Sequence, residues 1–116
     1  MILMPIVYVT DMEKAVAFYE SLGFAVDLRG RSEHWAELRA GDGAVLALHH
    51  AERLPAQRVE LSFVATEPLA DVEERHRATL ARPVTDEAFG RSLTLRDPDG
   101  LELQVNEHEP ELYAAG

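Results

Sequence analysis

The side chains in this sequence that could do chemistry are histidines, carboxylates and amides, because cysteine is absent. Without cysteine the chain has no disulfide, no thiolate nucleophile and no Cys-based zinc site. His49 and His50 are adjacent, so on a β-strand their side chains point to opposite faces and cannot both bind one ion. No Ser-His-Asp arrangement and no Gly-rich phosphate loop accompanies them. The chemistry open to the chain is metal binding through His, Glu or Gln, acid–base chemistry at a carboxylate, or binding alone.

The charge balance of the chain is strongly acidic. Lys and Arg number 11 against 21 Asp and Glu, which gives a net charge of −10. Such a surface repels phosphate backbones, so we expect no nucleic-acid partner, and part of the acid could favour a cationic ligand. Glu107, Glu109 and Glu111, near the C-terminus, are expected to form a solvated surface.

The composition is that of a globular protein. Apolar residues make up 47% of the chain, which is enough for a core. No apolar run approaches the roughly 20 residues needed to cross a membrane. The first predicted strand begins almost at Met1, so we expect no signal peptide. We therefore expect a single domain, residues 1–116, in the cytoplasm and without membrane contact.

The chain contains an internal repeat. The stretch LRAGDGAVL at residues 38–46 is closely matched by LRDPDGLEL at residues 95–103, an offset of 57 residues. In both copies an Asp-Gly turn lies between two apolar runs, as in a β-hairpin. A repeat of this period predicts two copies of one supersecondary unit.

The first unit, residues 1–50, is predicted to fold as βαβββ. A β-branched and aromatic run at residues 4–10 predicts the first strand. Thr10 and Glu13 have the spacing of a capping box, so a helix is predicted to begin there, and Gly23 is predicted to end it. Three further strands follow.

The second unit, residues 59–116, shows the same order. Its first strand is predicted in the alternating run at residues 58–66, and Pro68 suits the first position of a helix that carries Leu80. Residues 51–58, with a proline and several charges, are predicted to form a linker. The fold class predicted from these elements is α+β, built from two βαβββ repeats.

Two stretches resemble a known family. VYVTDMEKAVAFYESLGF, residues 7–24, and GRSLTLRDPDGLELQVNE, residues 90–107, are similar to the vicinal oxygen chelate superfamily of glyoxalases, bleomycin-resistance proteins and dioxygenases. The resemblance implies that the sheets of the two units curve into a half-barrel, with helices on the convex side and the ligand on the concave side. It also implies a homodimer, the usual state of the short members.

The resemblance locates four candidate metal positions. Metal-binding members place one His, Gln or Glu on the first strand and one on the last strand of each unit. Here those positions are held by Met4, Ala47, Glu60 and Gln104. Alanine cannot ligate, and a thioether is a poor match for ions that prefer nitrogen and oxygen. The resemblance therefore implies no metal cofactor or, with His49 on the same strand face as Ala47, a divalent metal held by His49, Glu60 and Gln104.

Strand alternation gives the residues that share a face with these positions. The predicted ligand-binding residues on that face are Tyr8, Trp35, Glu37, His49, Glu60, Ser62, Glu102 and Gln104. The opposite face is apolar and is expected to pack under the helices through Val7, Val9, Leu46, Leu48, Leu61, Phe63, Leu93, Leu95, Leu101, Leu103 and Val105. A simpler interpretation of the mixed face is that it meets solvent, with Glu and Arg paired across strands.

An aromatic face with nearby carboxylates suits a flat or cationic small molecule, through stacking and cation–π attraction. This pattern resembles the metal-free bleomycin-resistance branch, in which acidic dimers sequester a basic drug. Our leading hypothesis is a metal-free, homodimeric small-molecule binding protein. The alternatives are a metal-dependent lyase, transferase or dioxygenase that uses His49, Glu60 and Gln104, and metal-free catalysis with Glu60 as the general base. The sequence leaves open whether the chain is an enzyme.

Overall fold

The computed structural model describes residues 1–27, 30–87 and 90–108. The helices and strands in chain order are β1 (Ile2–Leu3), β2 (Ile6–Val9), α1 (Met12–Ser21), β3 (Phe24–Val26), β4 (Trp35–Ala40), β5 (Val45–His50), β6 (Val59–Glu60), β7 (Ser62–Val64), α2 (Leu69–Arg75), β8 (Leu80–Glu87), β9 (Gly90–Arg96) and β10 (Glu102–His108). The chain divides into two compact units. The N-terminal unit is Met4–Glu60, and the C-terminal unit combines Met1–Leu3 with the described residues from Leu61 onward.

The N-terminal unit is an open, mixed sheet in the order β3-β4-β5-β2-β6, with helix α1 on one face. Strands β4 and β5 form an antiparallel hairpin, β2 runs parallel to β5, and β6 runs antiparallel to β2. The core under the helix consists of Met12, Val16, Ala36, Leu38 and Leu48, with Val7, Val9, Ala15, Tyr19, Phe24, Val26 and Leu46 packed against it. The apolar face predicted for this unit is thereby confirmed.

Helix α1 begins one residue later than predicted. The N-cap is Asp11, with an extended backbone at φ −134°, and its carboxylate accepts a hydrogen bond from the Lys14 amide at 3.0 Å. The prediction of Thr10 as the cap was wrong, because Asp11 caps equally well and adds a negative charge at the positive end of the helix dipole. Gly23 follows the helix with φ +102°, as predicted.

The C-terminal unit is a second open, mixed sheet, in the order β1-β7-β10-β9-β8, with α2 on one face. Its core consists of Leu69, Val72, Leu93, Leu95 and Val105, with Ala65, Leu80, Val84 and Leu103 packed against it. Leu80 had been predicted on the helix. It instead opens β8 after a 3₁₀ turn at Arg77–Thr79, although its side chain still reaches the same core. Leu101 was also misplaced, because it lies in the hairpin turn and is 42% exposed.

The internal repeat is visible in the backbone of the two hairpin turns. The Ala40 amide donates to the Ala44 carbonyl and the Gly43 amide to the Ala40 carbonyl, each at 3.0 Å. The turn after β9 repeats both hydrogen bonds 57 residues later. The Asp97 amide donates to the Leu101 carbonyl, and the Gly100 amide donates to the Asp97 carbonyl. Gly43 and Gly100 have backbone φ values of +98° and +91°, which residues other than glycine rarely adopt. The duplicated Asp-Gly sequence therefore encodes one turn used twice.

The run predicted as the first strand of the second unit is divided between the two sheets. Strand β6 pairs with β2 in the N-terminal unit, and β7 pairs with β10 and β1 in the C-terminal unit. Leu61 lies between the two strands and belongs to neither. Glu60 therefore belongs to the N-terminal unit, together with residues 51–58.

The predicted α+β class is confirmed, and the described residues form two α-helices and two open, mixed five-stranded sheets. The predicted strand ends at residues 28–29 and 88–89 lie outside the described residues, as do Glu109 and Glu111. Within the described ranges, neither helix has the length and apolar character to cross a membrane.

Glu107 is a structural residue rather than the solvated surface charge we expected. Its Oε2 accepts a hydrogen bond from the Leu69 amide at 2.8 Å, and its Oε1 accepts from the Arg91 guanidinium, with Nε at 2.9 Å. The residue before α2 is Pro68, and it makes no side-chain cap. Glu107 therefore caps α2 from a neighbouring strand, where its charge also favours the helix dipole.

Replacing Glu107 with alanine is expected to lower the free energy of unfolding by about 1–2 kcal/mol, because the hydrogen bonds of its carboxylate with the Leu69 amide and with Arg91 are lost. Urea denaturation followed by far-ultraviolet circular dichroism measures this loss. Glu102→Ala is the matched control, because the Glu102 carboxylate only pairs with the exposed Arg96, at 3.3 Å. Equal unfolding midpoints for the two variants would contradict the capping role.

Candidate functional site

Three aromatic side chains form a row across one face of the N-terminal sheet. Trp35 on β4 is paired in register with His49 on β5, which is paired with Tyr8 on β2. The Tyr8 and His49 rings stack, with centroids 5.2 Å apart and planes at 29°. The Trp35 ring meets the His49 ring edge-on at 5.6 Å and 69°. We call Trp35, His49 and Tyr8 the aromatic row; all three side chains are half-buried.

A carboxylate accepts a hydrogen bond at each end of the aromatic row. The Tyr8 hydroxyl donates to Oε2 of Glu60 at 2.8 Å, and the Trp35 indole Nε1 donates to Oε2 of Glu37 at 3.0 Å. Glu37 is only 2% exposed, whereas Glu60 is half-buried. The two hydrogen bonds fix the orientation of the outer rings, so the row is a preorganised surface.

In the neighbouring register row on the same face, two apolar residues lie between the two carboxylates. Glu37 is paired with Ala47, Ala47 with Ile6, and Ile6 with Glu60. Ala47 and Ile6 are buried. The face therefore carries half-buried aromatic rings beside a buried apolar strip that has a carboxylate at each end.

The pKa of Tyr8 is raised from 10.0 to about 12. Burial is the largest cause, and the hydrogen bond to Glu60 and the negative charge of Glu60 act in the same direction. Tyr8 is therefore a neutral donor at neutral pH, and its hydroxyl stays engaged with Glu60.

Burial also lowers the pKa of His49 below 6.5, and the neighbouring His34 and His50 lower it further, while the charge of Glu60 opposes the shift. His49 is therefore a neutral imidazole at neutral pH. In this state it extends the aromatic surface and adds no positive charge that would repel a cation.

The depressed pKa of His49 predicts that the fold loses stability on acidification. Between pH 6.5 and the lower folded-state pKa, the unfolded chain binds more protons than the native one, so stability present above pH 6.5 is lost as the pH falls. His49→Phe keeps a ring and removes the titration, so its unfolding free energy is expected to change less from pH 7 to pH 5. Urea titrations at each pH measure this slope, with His76→Asn as a control outside the site. A slope unchanged in His49→Phe would contradict the assignment.

A cavity of about 320 Å³ adjoins the Tyr8 end of the aromatic row. It is lined by Tyr8, Ala51, Arg53, Pro55, Gln57 and Glu60. Four of these residues lie in the segment 51–58 that we had predicted only as a linker. In the sequence, only the combination of proline, glutamine and arginine directly after β5 indicates a role for this segment. The segment has no periodicity from which the orientation of its side chains could be predicted.

The structure brings together five of the eight predicted ligand-binding residues, namely Tyr8, Trp35, Glu37, His49 and Glu60. Ser62, Glu102 and Gln104 belong to the C-terminal unit. There, Ser62 is fully buried and paired in register with Gln104. Glu102 forms a solvent-exposed pair with Arg96, as the simpler interpretation of the mixed face predicts.

A family model described as a glyoxalase-like domain matches residues 5–106. The chain belongs to this family. The match spans both hairpins and all the strands from β2 to β9. The superfamily resemblance of the two sequence stretches is thereby confirmed.

Solved structures share the glyoxalase-like fold. The structure of an NAD-dependent benzaldehyde dehydrogenase from Legionella pneumophila is 24% identical, and the alignment covers 92% of this chain and 99% of that one, with a TM-score of 0.67. A glyoxalase/bleomycin resistance protein/dioxygenase superfamily member from Vibrio splendidus is 20% identical, with coverages of 90% and 97% and a TM-score of 0.59. At these identities the likeness shows the fold and not the activity.

A bleomycin-binding protein from Streptomyces verticillus, solved with copper(II)-bleomycin, is 27% identical over 91% of this chain and 94% of its own, with a TM-score of 0.41. No protein with a curated description matches the sequence.

The superfamily resemblance implies a divalent-metal site at four positions in the members that bind a metal. Two of the four family positions are Met4 and Ala47, both buried, and neither offers a nitrogen or oxygen side-chain ligand. In the part of the chain that the structure describes, no three His, Asp or Glu side chains form a group able to hold a metal ion. The N-terminal unit contributes His49 and Glu60 of the alternative metal set, and the His49 ring is stacked on Tyr8. Met4 and Ala47 therefore do not fit a metal centre at the four family positions.

Proposed function

We propose that this glyoxalase-like domain binds a flat small molecule that carries a cationic or hydrogen-bond-donating group, without a metal. The observation that supports this proposal is the aromatic row beside the 320 Å³ cavity, with Glu60 at the boundary of both. The flat part of the ligand lies against the half-buried rings, and its donor group faces Glu60.

The physical chemistry of the row favours such a ligand over a neutral aliphatic one. Aromatic faces attract flat rings and cations through stacking and cation–π interaction. The Glu60 carboxylate adds a direct charge, and the net charge of −10 attracts cations over a longer range. The cavity volume lies near the lower end of the range for small-molecule sites, so a ligand of one or two rings is expected.

A thermal-shift screen tests this proposal. Flat aromatic amines, each paired with its uncharged counterpart, are added to protein purified without chelators, and the metal content of the same sample is measured. We expect amines to raise the melting temperature by mass action, in protein with far less than one metal per chain. Tyr8→Leu, which removes the ring at the cavity end of the row, is expected to abolish the effect.

Two results would contradict the proposal. One is near-stoichiometric Mn, Fe, Ni or Zn that is lost in Glu60→Ala, which would favour the metal-dependent alternative. The other is stabilisation by hits that is the same in the wild type and in Tyr8→Leu, which would move the binding site elsewhere.

We also propose that the protein is a homodimer, as the superfamily resemblance implies. Phe18 and Leu22, four residues apart at the end of α1, are 58% and 61% exposed and provide apolar surface that a second copy could cover. Gel filtration with light scattering decides this, and a monomer at micromolar concentration would contradict it. The cytoplasmic location stays a prediction.

A further inference from the structure

We infer that the ligand of this site is dipolar, with a carboxylate or similar small oxyanion that Arg53 binds in addition to the donor group that faces Glu60. This inference rests on the proposed function and adds the chemical class of the ligand. Arg53 lies in the segment between β5 and β6 and lines the same cavity as Tyr8 and Glu60.

Arg53 is unusual among the arginines that the structure describes. Seven of them pair with a carboxylate within 4.0 Å: Arg31, Arg39, Arg75, Arg77, Arg82, Arg91 and Arg96. Within the same ranges, the guanidinium of Arg53 has no carboxylate within that distance, although acidic residues outnumber basic ones by 21 to 11. The exposed Arg58 shares this property, but it is not among the residues that line the cavity. Because Arg53 has no carboxylate partner among the described residues, the N–H donors of its guanidinium are available to a ligand in the cavity.

The cavity wall carries two opposite charges that do not neutralise each other. Glu60 is engaged by the Tyr8 hydroxyl, and Arg53 forms no ion pair with it. A guanidinium binds a carboxylate through two parallel N–H···O hydrogen bonds, which makes arginine selective for oxyanions. A purely cationic ligand is attracted by Glu60 and repelled by Arg53, whereas a purely anionic ligand is attracted by Arg53 and repelled by Glu60. A zwitterion satisfies both groups.

The competing explanation for Arg53 is that it is simply a solvated surface residue, since its side chain is exposed. In that case its charge would have no effect on the affinity for ligands in the cavity. Removing the charge of Arg53 therefore distinguishes the two explanations. It changes the selectivity between ligands only if Arg53 binds an anion, whereas the stability of the protein does not separate them.

Three compounds with the same phenyl ring serve as probes: phenylalanine as the zwitterion, phenethylamine as the cation and 3-phenylpropionate as the anion. Calorimetric titrations use the wild type, Arg53→Gln and the matched control Arg58→Gln. We expect phenylalanine to bind the wild type about three- to tenfold more tightly than phenethylamine, as an exposed ion pair allows. Arg53→Gln should remove this preference, Arg58→Gln should keep it, and added salt should reduce it in the wild type.

The outcomes separate this inference from the proposed function. If phenethylamine binds as tightly as phenylalanine and Arg53→Gln changes neither affinity, Arg53 holds no anion; the inference is then overturned while amine binding stands. If Arg58→Gln removes the preference as fully as Arg53→Gln, the effect is general charge rather than a site, which also overturns it. If none of the three probes binds the wild type, the proposed function and the inference both fail.

Discussion

Replacing Gly30 with alanine is expected to destabilise the N-terminal unit by about 1–3 kcal/mol and to release the Trp35 indole from Glu37. A Cβ on Gly30 would lie 2.8 Å from both Cβ and Cγ of Glu37. These atoms are next to the backbone of β4 and cannot move away as the end of a flexible side chain would. The Glu37 amide also donates to the Gly30 carbonyl at 3.0 Å, which holds the two backbones together. The carboxylate that accepts the Trp35 hydrogen bond is therefore forced to shift.

The emission of Trp35, the single tryptophan, reports both effects of this substitution. Its spectrum should change in the native state of Gly30→Ala, and its urea transition should move to lower denaturant. Gly41→Ala is the matched control, because a Cβ there meets nothing within 4 Å. If Gly30→Ala and Gly41→Ala have the same midpoint and the same native emission, the close packing of Gly30 on Glu37 does not control the aromatic row.

Replacing Glu60 with glutamine is expected to lower the affinity for flat amines by about tenfold to a hundredfold, the range of a hydrogen bond to a charged group. The substitution preserves the size of the side chain and removes the charge that a cation faces. The same change should lower the pKa of Tyr8 from about 12 toward 10.0. It should stop short of 10.0, because burial is the largest cause of the shift and remains in the variant.

The titration of Tyr8 gives this prediction a readout that is independent of any ligand. Phenolate absorbance follows the three tyrosines, and Tyr8→Phe identifies the step that belongs to Tyr8. Since a raised pKa stabilises the fold below pH 10.0 and this contribution is lost as the pH passes about 12, the alkaline loss of stability should also be smaller in Glu60→Gln. Glu52→Gln, an exposed residue outside the cavity lining, is the control. An unchanged Tyr8 step in Glu60→Gln would contradict the coupling.

Much of the candidate site could be predicted from strand alternation alone. Once Leu38 is assigned to the core, Trp35 and Glu37 must lie on the other face of β4. The positions of Tyr8 and His49 follow in the same way. Their register across three strands was not in the sequence pattern, because pairing depends on turn geometry and on the parallel contact between β2 and β5.

The features that sequence reasoning missed depend on contacts between distant residues. Glu107 looks like one of several surface acids, and only the fold places it at the start of α2, 38 residues away. The alternating run at residues 58–66 gives no sign that it divides at Leu61 between two sheets. Arg53 lies in a segment without periodicity, and its position on the cavity wall follows from the path of the chain between β5 and β6.

Amide NMR spectra of the labelled protein test whether the aromatic row and Glu60 bind a flat amine without a metal. Phenethylamine, or the strongest amine from the thermal-shift screen, is titrated into protein kept in excess chelator. We expect saturable shifts at the Trp35 indole and at the backbone amides of Tyr8, His49, Ala51 and Glu60. Shifts that are absent in chelator and return on adding a divalent metal, or that fall only on residues of the C-terminal unit, would contradict it.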